Sequence, residues 1–169
     1  LICKYFPNAV KENGVHKVMH AVAMDDGKLR KRTITSCAIT SSITIGSGGS
    51  AGREGPTVQI GSAIGSTIGQ ILHLSTERIR VLVGCGAAAG IAASFNAPLA
   101  GVLFALEIIL GDFTIHTFSP IIIASVIGTV TGRALEGNEV TFNVPVHELV
   151  HPSEIIFYLA LGVLCGIVA

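Results

Sequence analysis

The sequence predicts an all-α membrane domain built from tilted and interrupted helices, and three observations carry that prediction. Of its 169 residues, 50% are hydrophobic and only 13% charged, with a mean hydropathy of +0.67, whereas an average soluble domain carries about 25% charged residues. Residues 33–52, 55–75, 81–106, 113–132 and 155–169 hold no Asp, Glu, Lys or Arg. A helix crosses a bilayer with about 17–25 mainly apolar residues, so each stretch is a candidate membrane segment. The 20 glycines are spread through these stretches rather than gathered in loops, which suits membrane helices that pack closely through small residues.

A soluble α/β protein with buried strands is the competing architecture, since β-branched runs such as 40–45 and 121–126 would suit strands in water. In lipid an open strand leaves its backbone groups unsatisfied, so the same runs read as helix. The formal net charge is +0, and no global field draws in nucleic acid. Local charge is more informative. Residues 25–32 (DDGKLRKR) form the densest basic cluster and belong on the cytoplasmic side by the positive-inside tendency. The stretch 136–151 carries Glu136, Glu139 and Glu148 without Lys or Arg, which suits the opposite face.

Taken in order, residues 13–24 read as a short helix entered after Gly14, followed by the basic loop and an apolar segment from Thr33 to about Ser50. Gly46, Gly48, Gly49, Gly52 and Gly55 then break the chain around Arg53 and Glu54. Pro56, a residue favoured at the first helical position, predicts a helix from 56 to about 74. Residues 75–80 (STERIR) read as a polar turn with Ser75 or Thr76 as N-cap, and a further apolar helix runs to Phe95. Asn96, Ala97 and Pro98 interrupt it before a short helix from Pro98 to about Leu110. Neither half of this broken pair is expected to cross alone, and such interrupted segments point to substrate sites in transporters. A span over 115–134 and a last segment from Ser153 complete the reading. With no initial Met and an apolar end at Ala169, the chain is expected to be a fragment, residues 1–169 forming one half of a conducting domain.

Cys3, Cys37, Cys85 and Cys165 show no paired spacing that signals zinc and read as buried small hydrophobes. His16 and His20 share a helix face but lack the glutamate of an HExxH motif, so they read as polar helix residues. No metal or cofactor is expected. A dinucleotide-binding enzyme is the alternative from a different class: Gly46, Gly48 and Ala51 fit a loose GxGxxG/A pattern. No acidic residue follows about 20 positions on, and the Walker pattern is absent.

Glu54 is the residue that asks for a reason. A charge at membrane depth costs about 2.5–3.5 kcal/mol on insertion scales and so marks function. It precedes a helix whose first turn has free N–H groups and roughly half a positive charge, an end that attracts a carboxylate or chloride. Glu54 can therefore act as its own helix's captive anion, released on protonation, which makes one residue gate and proton acceptor without enzymatic chemistry. On the residues alone, a helix cap or a pair with Arg53 stands equally open.

GREGPTVQIG at 52–61 and GAAAGIAASFNAPLAGVLFALE at 86–107 resemble, in order and spacing, the signature blocks of the CLC family of chloride channels and chloride/proton exchangers. KYFPNAV from Lys4 and VMHAV from Val18 resemble its first motif region. The resemblance covers essentially the whole chain and implies the first of two inverted repeats. It implies a multi-pass homodimer in the lipid bilayer of the cell membrane, with chloride as permeant ion and Glu54 as gate. Asn13, Gly14, Val15, Arg53 and Gly55 would line the anion sites, and residues 98–107 and 116–133 would contribute to the dimer interface. Two departures matter. The family's GSGIP-like stretch here carries Glu12, Asn13 and His16, with Asn13 in place of a serine that touches the anion. Ile108 replaces the internal proton glutamate of the exchangers, so the resemblance implies a gated channel first and a proton-coupled antiporter second, with Glu107, one residue off register, serving packing or a salt bridge.

Overall fold

The computed structural model describes residues 14–50, 52–137 and 154–168. Among them the regular structure is helical, without a strand: α1 (Val15–Met24), α2 (Arg32–Gly46), α3 (Glu54–Ile71), α4 (Thr76–Phe95), α5 (Pro98–Phe104) continuing into a π segment (Ala105–Leu110), α6 (Ile115–Glu136) and α7 (Glu154–Val168). The all-α reading holds, and the element order follows the sequence. The acidic stretch beyond residue 137 and Asn13 lie outside the described residues.

Two boundaries and one length differ from expectation for physical reasons. α3 begins at Glu54, two residues before Pro56, because the N–H groups of a first turn have no intrahelical acceptor and proline loses nothing there. Residues 76–80 are not a turn: Ser75 is the N-cap and its successors form the first turn of α4, where Glu77 complements the positive helix end. α4 then runs for 20 residues at a hydropathy of 1.4, about 30 Å at 1.5 Å per residue. By length and composition this half of the broken pair is long and apolar enough to cross a bilayer, longer than the sequence reading expected.

Two helices among the described residues are long and apolar enough to cross a membrane, Thr76–Phe95 and Ile115–Leu135, fewer than the five charge-free stretches suggested. Glycines end α2 after 15 residues, and the Gly, Ser, Thr and Gln content of α3 keeps that helix out of the set. α7, with 15 residues, buries none of them.

α4 is the centre of the assembly, packed against α3 on one side and against α5 and α6 on the other. Val58, Ala63, Val83, Ala87, Ala88, Leu106 and Ile121 are fully buried in the resulting core. α3 and α4 touch backbone to backbone: a Cβ at Gly61 would overlap the Gly86 carbonyl, and one at Gly86 would overlap the Gly61 carbonyl. Only glycine fits such a crossing, which gathers dispersion contacts along two helices where no hydrophobic drive acts in lipid.

The break between α4 and α5 is stitched by α6. Asn96 adopts the left-handed conformation, and its Oδ1 accepts Arg133 Nε–H at 2.5 Å. Ser125 Oγ donates to the Pro98 carbonyl at 2.6 Å, and the Ala97 N–H returns to Ala92 O at 3.3 Å. Irregular backbone survives at membrane depth only when its polar groups are satisfied inside the protein, and these bonds meet that condition.

Candidate functional site

The glycine break brings two helix beginnings together. A Cβ on Gly55, in the first turn of α3, would lie 3.7 Å from Gly14 Cα, and Gly14 is the N-cap of α1. Each first turn offers N–H groups without intrahelical acceptors and a partial positive charge. Two such ends meeting at one point form a place for an anion.

Glu54 opens α3 at that junction. Its carboxylate folds back over Gly52, where any Cβ would collide with Oε2. The start of α3 shows no side-chain cap hydrogen bond, and no Glu54–Arg53 ion pair occurs among the described residues. The Arg53 guanidinium instead lies over the Phe95 ring, Cζ 4.9 Å from its centroid, a cation–π contact that ties the start of α3 to the end of α4. Thr57 reinforces the turn by donating to the Arg53 carbonyl at 2.7 Å. Neither of the alternatives left open for Glu54, cap or Arg53 pair, is present.

The junction contains a residue that sequence reasoning missed. Gln59 is fully buried and its Oε1 accepts the Gly14 N–H at 3.0 Å and the Cys37 thiol at 3.3 Å. Both partners are donors, which fixes which end of the amide is oxygen. Gln59 Nε2 is buried with no hydrogen-bond partner among the described residues. The legible signal was a side-chain amide, one of two in an otherwise small and largely apolar helix. The Gly14 N–H is therefore already engaged and is not among the free amides of this junction. Val15 is half-buried in the first turn of α1, and Gly55 lies in the first turn of α3 beside Gly14.

Ile108 lies apart from this junction, on the exposed side of the π segment. It lines an open cleft of about 1530 Å³ together with Glu107, His16 and His20. Glu107 is exposed there and makes no salt bridge among the described residues, so the packing or pairing expected of it is not found. His20 Nδ1 lies 3.5 Å from Asp25 Oδ2, and no group of three or more potential metal ligands occurs among the described residues. Cys37 is buried and Cys85 half-buried, but Cys165 is exposed on α7, unlike the buried cysteine expected.

Comparison with known proteins decides the family. A family model described as voltage gated chloride channel matches residues 1–169. The chain belongs to the CLC family. It is 35% identical over 170 residues to a putative chloride channel protein ClcB-like of Ralstonia nicotianae, covering 98% of this chain and 40% of that protein. It is 39% identical over 137 residues to chloride channel protein CLC-f of Arabidopsis thaliana, covering 78% of this chain and 18% of that protein. The H(+)/Cl(-) exchange transporter ClcA of Vibrio cholerae is 38% identical over 126 residues, covering 73% and 27%. Among solved structures, a CLC-type fluoride/proton antiporter matches with a TM-score of 0.81 at 28% identity, over 99% of this chain and 43% of that one. The CLC resemblance of the two glycine-rich blocks is thereby confirmed, and the helical arrangement above is a partial CLC domain.

Proposed function

We propose that residues 1–169 are the N-terminal half of the conducting domain of a gated CLC chloride channel, a homodimeric multi-pass protein of the cell membrane, with Glu54 as its gate. The observation that carries this reading is the placement of the Glu54 carboxylate at the start of α3, beside the point where the first turns of α1 and α3 meet. A carboxylate there occupies the position a permeating anion would take, and protonating it frees that position. Anion contacts come from the free amides of Val15, Arg53 and Gly55 and from the neighbouring Asn13. Nothing in this action is covalent, so the protein is a conductor and not an enzyme.

Ile108 has no titratable group, which favours passive conduction over exchange. A second reading, proton-coupled antiport, is supported by Glu107 sharing the cleft with Ile108 and by the exchangers and the fluoride/proton antiporter among the similar proteins. Reversal potentials of the full-length protein under a chloride gradient, with and without a pH gradient, separate the two. A channel gives a potential set by chloride and unmoved by pH; a potential that shifts with the proton gradient promotes the antiporter, and an absence of anion current sinks both.

A further inference from the structure

A glutamine amide can make four hydrogen bonds, two accepted by its oxygen and two donated by its nitrogen. Gln59 Oε1 is fully used, by Gly14 N–H and the Cys37 thiol, whereas the buried Nε2 has no partner among the described residues. A buried donor left unmade costs stability, which offsets part of what the two bonds of the oxygen contribute. What its oxygen does is specific: from the second turn of α3, about 7.5 Å along the axis from Glu54, it reaches the N-cap of α1. It takes the last donor before the free amides of α1 begin, and holds Gly14 against Gly55. The Gln59 side chain thus bridges the two first turns directly.

We propose that Gln59 is a specificity-determining positioning residue: its carboxamide oxygen fixes the first turn of α1 against that of α3, and the spacing so fixed selects among small monovalent anions. The inference rests on the anion-conducting reading above. Donors that must converge on one ion discriminate by its size and shape, and an N-cap released from Gln59 lets the α1 amides withdraw. The Gly14 N–H would then also be free, adding a donor where the native site has none.

The test is Gln59→Met in the full-length protein in liposomes, with nitrate/chloride and fluoride/chloride permeability ratios read under bi-ionic conditions. Methionine keeps the length and loses the acceptor. At least one ratio changes by about threefold to tenfold, the range expected when one hydrogen bond is lost, while the response to external pH persists. Cys37→Ala removes the other donor to Oε1 but leaves the Gly14 bond, and keeps the native ratios. Unchanged ratios in folded Gln59→Met overturn the proposal, as do equal changes in Cys37→Ala, which would mean general packing. Should Gln59→Met not fold, Gln59→Asn, whose amide is drawn back by about 1.5 Å, carries the same expectation. Native protein that passes no anion overturns both this inference and the channel reading; native flux with an indifferent Gln59 overturns this one alone.

Discussion

At its C-terminal end α3 holds the basic loop through Ser66 and Gln70, although the Thr67 hydroxyl beside them is buried without a partner among the described residues, whereas at its N-terminal end the same helix leaves the Gln59 nitrogen and its first-turn amides unmade. Ser66 Oγ accepts the Leu29 N–H at 2.8 Å and donates to the Gly27 carbonyl at 2.6 Å. Gln70 Nε2 donates to the Leu29 carbonyl at 3.0 Å and to Ser66 Oγ at 2.9 Å. Every site on the serine hydroxyl is filled, and the basic loop is fixed in one place. Gln59, by contrast, keeps a buried nitrogen without a partner among the described residues, next to two helix starts and a glutamate that, among those residues, makes neither cap nor pair. The Gln59 nitrogen lies beside the proposed gate, whereas the Ser66 and Gln70 bonds hold the loop. On the proposed reading, the N-terminal end of α3 is its site end and the C-terminal end its scaffold end.

The sharpest way to break that comparison is Glu54→Gln. At the site end this change removes the charge that competes with the anion for the positive start of α3, with a stability cost of only about 0.3–1 kcal/mol, typical of a charge at a helix terminus. Anion flux in the full-length protein is expected to rise and to lose most of its dependence on external pH. A folded Glu54→Gln variant whose flux keeps the native pH profile would remove Glu54 from the gate.

Ser66→Val probes the scaffold end and should do the reverse. It strands the buried Leu29 N–H and the Gly27 carbonyl, a loss of roughly 1–3 kcal/mol for unsatisfied buried groups. Thermal unfolding in detergent is expected at a lower temperature, with permeability ratios and pH response unchanged. Altered selectivity in folded protein would show that the loop end also belongs to the site.

Much of this division was legible in the sequence. Charge-free stretches and scattered glycines gave the helices, the glycine break placed Glu54 before a helix start, and Asn96–Pro98 announced the interruption. What escaped has a common cause, because the missing facts are pairings between residues far apart in the chain. Gln59 meets Gly14 across 45 positions, Ser66 meets Gly27 across 39, and Ser125 meets Pro98 across 27. Periodicity and capping rules see only neighbours within a few residues, so they found the elements and not the polar groups that join them. The same locality explains why residues 75–80 read as a turn: their polarity was visible, but not that α4 would carry it as a first turn.

The smallest expected effect gives the finest test, since it applies one substitution at both ends of one helix. Gln70→Met repeats the change proposed at Gln59, about 16 Å further along the axis, and likewise removes a half-buried or buried amide from a backbone partner on another segment. Here the partner is the Leu29 carbonyl, which belongs to the loop and not to a helix start. Ser66 still holds Leu29 and Gly27, and Gln70 is only half-buried, so water can reach the vacated carbonyl. The loss should therefore stay near a single net hydrogen bond, about 0.5–1.5 kcal/mol, seen as a modest fall in unfolding temperature. Anion permeability ratios should not move. If Gln70→Met shifts them as far as Gln59→Met, selectivity answers to any polar loss along α3, and the distinction between its scaffold end and its site end fails.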